Sequence, residues 1–297
     1  MVKLLGAYKN GNYFVKILSN GTKIRETKDD EFIPSFAENC DVKITDKCDG
    51  GCPFCYEGCT PNGKHGDILN YRFLDTLHPY TELAINGNDL SHPDLVPFMR
   101  KMKEKKVILN MTVNQIHFER HFVTLKEWSD AGLIHGLGIS LKEPTDEFTE
   151  KVAQFPNAVI HTINGVVSMQ DLSRLAGRNL KILILGYKHL RRGESYYAQN
   201  DERVNALQAE LSQHLFSKII AENWFQVVSF DNLAIKQLHV QERLPKEEWE
   251  EFYMGDDGNY TFYFDLVEGV FGKNSLATDR YPIMDSIDEM FQKVRNS

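Results

Sequence analysis

A chain of 297 residues that is 42% hydrophobic and 26% charged holds enough apolar material for one large core or two small ones. It has no apolar run of the ~18 residues that a membrane helix needs. Its first stretch, MVKLLGAYKNGNY, is too short for a signal peptide and lacks a small-residue cleavage site. No membrane partner and a cytoplasmic location are therefore expected. A net charge of −8 disfavours a grip on large nucleic acid, which needs a basic face to displace counterions. The basic runs Lys101 to Lys106 and Lys188 to Arg192 read as solvated faces.

In chain order, NYFVKIL (12–18) alternates, Asn20-Gly21 supplies a tight turn and TKIRET (22–27) returns. Residues 1–38 are thus predicted to form an N-terminal β-hairpin. DVKIT (41–45), ELAIN (82–86), KVILNMTV (106–113), HGLGISL (135–141), NAVIHTIN (157–164) and KILILGY (181–187) are predicted strands, each aliphatic or β-branched. NYRFLDTLH, HPDLVPFMRKMKEK, HFERHFVTLKEWSDAG and MQDLSRLAG are the helices between them, and Ala131-Gly132 is a helix stop. Alternation of helices with continuously apolar strands indicates α/β architecture with a parallel sheet covered by helices. Six such units over 39–200 predict a parallel partial (β/α)6 barrel. A long helix at about 201–222 and two more strands, FQVVSFD (225–231) and YTFYFDL (260–266), make 201–297 a C-terminal α/β extension. Those strands either extend the sheet or form an appendage.

All five cysteines fall early: Cys40, Cys48, Cys52, Cys55 and Cys59, with none in residues 60–297. A reducing compartment and an odd count both weigh against disulfides. The spacing Cys48-x3-Cys52-x2-Cys55 directly follows the first parallel strand, and loops at the carboxyl ends of such strands carry the chemistry of α/β folds. Three thiolates within eight residues suit three irons of a cubane cluster, leaving the fourth iron open to a substrate. The alternatives are zinc, with Cys59 as a fourth ligand in a zinc-stabilised binding module, or a redox-switch disulfide.

CDGGCPFC (48–55) resembles the Cys-x3-Cys-x-aromatic-Cys motif of the radical S-adenosylmethionine (radical SAM) superfamily, with Phe54 at the aromatic position. The resemblance covers roughly residues 40–190. It implies a barrel of radical SAM type in which Cys48, Cys52 and Cys55 hold a 4Fe-4S cluster. The open iron would chelate the amine and carboxylate of S-adenosylmethionine, with Phe54 and Tyr56 beside that cofactor. Reductive cleavage would yield a 5′-deoxyadenosyl radical that abstracts hydrogen from an unidentified substrate: a small molecule, nucleoside or peptide. An electron donor such as flavodoxin or ferredoxin is the implied partner.

The family's Gly-Gly-Glu-Pro-like turn corresponds to Asn86-Gly87-Asn88-Asp89, followed by its His-Pro-Asp helix start at His92-Pro93-Asp94. Here Asn86 stands for the first Gly and Asn88 for the Glu. Asn88 keeps a carbonyl acceptor for the cofactor's ammonium group but lacks a carboxylate's charge. That departure also allows a cluster-bearing barrel without cofactor cleavage. By the same resemblance Asn114, Ser140, Asn164, Gly186 and Tyr187, at the ends of the third to sixth strands, are cofactor contacts. Glu57, Lys64, His65, Lys142 and Asp231 are candidate substrate contacts; Asp231 reads equally as a helix N-cap. No second cysteine cluster and no distal cysteine follow, so a single cluster and a single radical step are expected.

Overall fold

The structure is a computed structural model that describes residues 2–297. It opens with a three-stranded antiparallel sheet of β1 (Leu4–Asn10), β2 (Tyr13–Leu18) and β3 (Lys23–Glu26). The expected hairpin is the β2–β3 pair, and Gly21 turns it at φ +87°. Strand β1 is additional. It alternates inside and outside from Leu5 on, but its inward positions are Gly6, Tyr8 and Asn10 while Leu4 and Leu5 are exposed, so it lacks the apolar alternation that marks β2.

The main sheet contains β4 (Asn39–Lys43), β5 (Glu82–Asn88), β6 (Ile108–Asn114), β7 (Gly136–Ser140), β8 (Ala158–Ile163), β9 (Lys181–Leu185), β10 (Val227–Phe230), β11 (Thr261–Asp265), β12 (Val270–Gly272) and β13 (Tyr281–Pro282). Their order is β10-β9-β8-β7-β6-β5-β4-β11-β12-β13. All pairs from β10 to β11 are parallel, and the last two are antiparallel. The sheet is open, with β10 and β13 as its edges. The six predicted strands thus lie side by side in sequence order, and residues 201–297 extend both flanks of the same sheet.

Helices α1 (Leu95–Glu104), α2 (Gln115–Arg120), α3 (Phe122–Asp130), α4 (Asp146–Val152), α5 (Met169–Leu175) and α6 (Arg192–His214) follow strands β5 to β9. Then come α7 (Asn232–Gln237), α8 (Val240–Arg243), α9 (Lys246–Phe252) and the terminal α10 (Ile287–Arg295). The stretch predicted as one helix over 117–132 breaks at His121, whose φ of −113° separates α2 from α3. NYRFLDTLH holds only a 3-10 turn, Arg72–Asp75. The long helix begins before 201, kinks at Asn200 and ends in a π-helical turn, Leu215–Ile220. No helix among the described residues is long and apolar enough to cross a membrane.

The strands are not apolar on both faces. Val42, Ile85, Met111, Ile139, Ile160 and Ile182 point one way and are buried with Phe98, Met99, Leu125, Leu172 and Leu211 of the helices. Asp41, Asn86, Asn110, Thr112, Ser140 and His161 point the other way and stay accessible. One face is core; the other is a polar cleft. Loops from opposite flanks meet across that cleft, because Asn232 after β10 and Asn274 after β12 both donate to Asp257, each at 2.7 Å.

The N-terminal sheet covers the opposite end of the strands. Glu38, fully buried just before β4, accepts from Tyr13 Oη (2.6 Å) and from Arg25 Nε and Nη2 (2.9 and 3.1 Å). Lys23 bridges Glu38 (3.2 Å) and Glu82 at the start of β5 (2.8 Å). Asn157, before β8, donates to the Ser19 carbonyl at 2.9 Å. Chemistry at the carboxyl ends therefore has a closed floor beneath it.

Candidate metal centre

The loop from Ile44 to Gly66 leaves β4 and folds back on itself. Asp46 N donates to Lys64 O, Cys48 N to Thr60 O, Thr60 N to Asp46 O and Gly66 N to Ile44 O, all at 2.8 to 3.0 Å. The turn-rich segment 58–67 is therefore the returning leg of the cysteine loop. A side chain at Gly63 would strike the Asp46 carbonyl at 2.2 Å, so only glycine lets the two legs close. Beneath the loop, Lys43 is 2% exposed and meets Asp46 (2.7 Å), Asp265 (3.0 Å) and Glu57 (3.5 Å), tying the loop base to β11.

All five thiols are free. Cys48, Cys52 and Cys55 are partly accessible, whereas Cys40 packs into the core from β4 and Cys59 is buried. Donors point at the sulfurs: Gly50 N to Cys48 and Asn114 Nδ2 to Cys52, each at 3.4 Å. A hydrogen bond from Cys59, helped by Arg192, holds the Cys55 thiol well below its usual range, while burial pushes Cys48 and Cys52 up. No three His, Cys, Asp or Glu side chains among the described residues converge on one ion position. A cubane does not ask for that, because each of its irons takes its own thiolate.

The strand ends around this loop carry the predicted residues. Asn86 accepts from Ile44 N (2.7 Å) and donates to Thr45 O (2.9 Å), so its amide pins the start of the loop. Asn88, at φ +48°, donates to Lys47 O (3.0 Å) and reaches Cys59 Sγ (3.4 Å); its carbonyl has no donor among the described residues. Gly87 faces the core, where a Cβ would meet Met111 at 2.8 Å. Asn114 caps α2 besides touching Cys52. Ser140 sits between Asn114 and His161 in register, its hydroxyl unpartnered among the described residues.

Further round, Asn164 is 1% exposed and donates to Gln237 Oε1 (3.1 Å), leaving its own carbonyl buried and unpaired. Gly186 N donates to Asp231 (2.8 Å), and Tyr187 exchanges both backbone bonds with Gln237. Asp231 is indeed the N-cap of α7, accepting from Ala234 N at 2.7 Å. Phe54 lies edge-on to Tyr196, and Tyr56 lies under Lys188 Nζ at 4.0 Å. Glu57 joins Lys43, and His65 bonds Thr45 Oγ1 at 2.9 Å. Lys64 and Lys142 are exposed and unpaired among the described residues.

Three features escaped the sequence reading. The first is a clamp on the motif's variable residues: Asp49 binds buried His117 Nε2 (2.5 Å) and Arg120 Nη1 (2.7 Å). These hydrogen bonds hold the Asp49 carboxyl down at about 2. His117 and Arg120 share a face of α2 at i, i+3 spacing, a signal visible in sequence but without a stated partner. Replacing Asp49 by Asn is expected to loosen the loop by about 1 kcal/mol. Faster amide exchange confined to 46–59 would show it; unchanged exchange would mean the clamp is idle.

The second is Arg192, which donates to the Cys59 carbonyl at 2.9 Å and brings α6 onto the loop. The third is the cleft pair Asp41 and His161. Asp41 opens to the cleft and His161 is partly accessible there. Desolvation against the cleft walls pushes the Asp41 carboxyl up; Lys188 opposes the rise, and Asp257 and Asp231 add to it. Burial lowers the His161 imidazole to about 4, and the ring lies where a Gly138 Cβ would be, 2.4 Å from His161 Cε1. Between about 4 and the ordinary 6.5, the unfolded chain takes up a proton that the folded chain refuses. Stability should therefore fall as pH drops through that window. His161→Gln is expected to flatten the fall by about 1–2 kcal/mol, discounted for water's access. Urea unfolding between pH 4 and 6.5 measures it, and an unchanged slope would count against a neutral His161.

A scan against protein-family models and a search of curated proteins return no match to this chain.

Proposed function

We propose that this chain is a radical SAM enzyme, its six sequential strands β4 to β9 forming the partial (β/α)6 barrel of that superfamily. The observation that carries the reading is the state of the cysteine loop. Three free, accessible thiols at C-x3-C-x2-C spacing stand at the carboxyl end of the first parallel strand, beside a polar cleft. Sulfur-directed donors from Gly50 and Asn114 suit thiolates that carry metal. Cys48, Cys52 and Cys55 would hold a 4Fe-4S cluster. Such a cluster, with S-adenosylmethionine bound beside it, would supply the one-electron chemistry of carbon–sulfur cleavage and hydrogen abstraction.

The chain's own part is binding, orientation and exclusion of water. The Asn88 side-chain carbonyl would accept from an ammonium group and the partly accessible Ser140 hydroxyl offers a further bond, while the unpaired Asn164 carbonyl lies buried behind them. Asn86 and the Asp49 clamp fix the loop by backbone and side-chain bonds. The buried Glu38 cluster seals the far end of the strands. A reduced external electron donor and a substrate complete the system.

Anaerobic reconstitution with iron and sulfide tests the reading. The expected product is a brown protein holding about four irons and four sulfides per chain. A colourless protein with one tightly held zinc would replace it by a zinc-stabilised binding module.

A further inference from the structure

A cavity of about 540 Å³ lies between the cysteine loop, the loop before α6 and the β11–β12 hairpin. Its charged walls are Glu57, Arg191, Asp265, Glu268 and Arg280. Most of these are already matched. Asp265 takes Lys43 at 3.0 Å and the amides of Val267 and Glu268. Glu57 faces Lys43 at 3.5 Å and Arg191 at 3.7 Å. Two charges are left over. Arg280 and Glu268 have no ion-pair partner among the described residues.

Arg280 is also held ready. Its Nη1 and Nη2 donate to the carbonyls of Asn274 (2.7 Å) and Ser275 (2.9 Å), and its guanidinium lies 5.0 Å from the Tyr263 ring centroid. Gly272 makes room for it, since a Cβ there would stand 2.7 Å from Nη1. A guanidinium fixed by backbone carbonyls has its remaining N–H groups aimed by the same bonds, and a planar fork suits a carboxylate. Glu268 at the exposed rim supplies the opposite sign. Leu190, Val270 and Tyr56 give the same cavity apolar wall.

We infer that this cavity binds a zwitterionic, amino-acid-like ligand, its carboxylate on Arg280 and its amino group toward Glu268. That the ligand is the enzyme's substrate rests on the function proposed above; the binding itself does not, because it needs no cluster.

Fluorine NMR on the cluster-free protein tests it with three probes that share one ring: 4-fluoro-L-phenylalanine, 3-(4-fluorophenyl)propionate and 4-fluorophenethylamine. The amino acid is expected to bind tightest. Arg280→Gln should weaken it and the propionate by about tenfold, with Arg280→Lys in between. Glu268→Gln, at an exposed position that folding does not need, should weaken the amino acid and the amine only. Thermal melting identifies a variant that fails to fold, in which case Glu268→Gln and the three-probe order decide. Equal binding of the amine and the amino acid, no binding of any probe, or binding untouched by both substitutions would overturn the inference. Displacement of the probe by S-adenosylmethionine would make the cavity the cofactor's own and overturn it as well.

Discussion

Alanine at Cys48, Cys52 or Cys55, one at a time, is expected to abolish retention of iron and sulfide on anaerobic reconstitution. Alanine at Cys59 or Cys40 should leave it intact. The contrast follows from where the five thiols sit. The first three are accessible in a loop whose backbone is fixed from both legs and from α2. Losing one thiolate of three would leave a second iron with no protein ligand, and no other cysteine stands at the motif's spacing. Cys40 points into the core from β4, so its loss is felt as packing. Cys59 is buried under Asn88 and hydrogen-bonded to Cys55, so its loss should alter that thiol without removing a ligand. Iron and sulfide assays on the five variants give the answer. Retention lost with Cys59→Ala but kept with Cys48→Ala would point to a different ligand set.

Glu38→Gln is expected to destabilise the fold by about 3 kcal/mol, because it leaves the largely buried Arg25 without its carboxylate and Lys23 with Glu82 alone. Glu38 is fully buried and answers Arg25, Lys23 and Tyr13 at once. Burial alone would raise its carboxyl; Lys23 and Arg25 outweigh that and hold it below the usual range. A depressed carboxylate adds stability above its unfolded pKa and loses it as pH falls through the lower, folded value. The wild type should therefore lose stability in acid, and the variant should lose less of it there. Urea unfolding at neutral pH and in acid measures both, and a cost below about 1 kcal/mol would mean that the floor sheet is loosely docked.

The elements that were legible in the sequence are those set by local pattern. The six strands appear in order because each is a short aliphatic run bounded by turn residues, and the cysteine spacing is contiguous. Asp231 was readable either as a contact or as a cap, and the structure makes it the cap of α7. What was hidden depends on distant partners. The clamp joins Asp49 to His117 across 68 residues, and no local signal pairs them. The polar cleft face was masked because Asn110, Thr112 and His161 are interleaved with Leu109, Met111 and Ile160, so the strands read as apolar runs. β11 joins β4 from the far end of the chain, which its aromatic sequence YTFYFDL does not announce. The break at His121 interrupts a pattern that is helical on both sides.

The most direct measurement is release of 5′-deoxyadenosine from S-adenosylmethionine by the reconstituted, dithionite-reduced protein, followed by chromatography. Release by the wild type, and none by Cys52→Ala, is the predicted result. A brown protein that leaves S-adenosylmethionine intact, with and without candidate amino-acid substrates, would contradict it and mark a cluster-bearing barrel that does not cleave the cofactor.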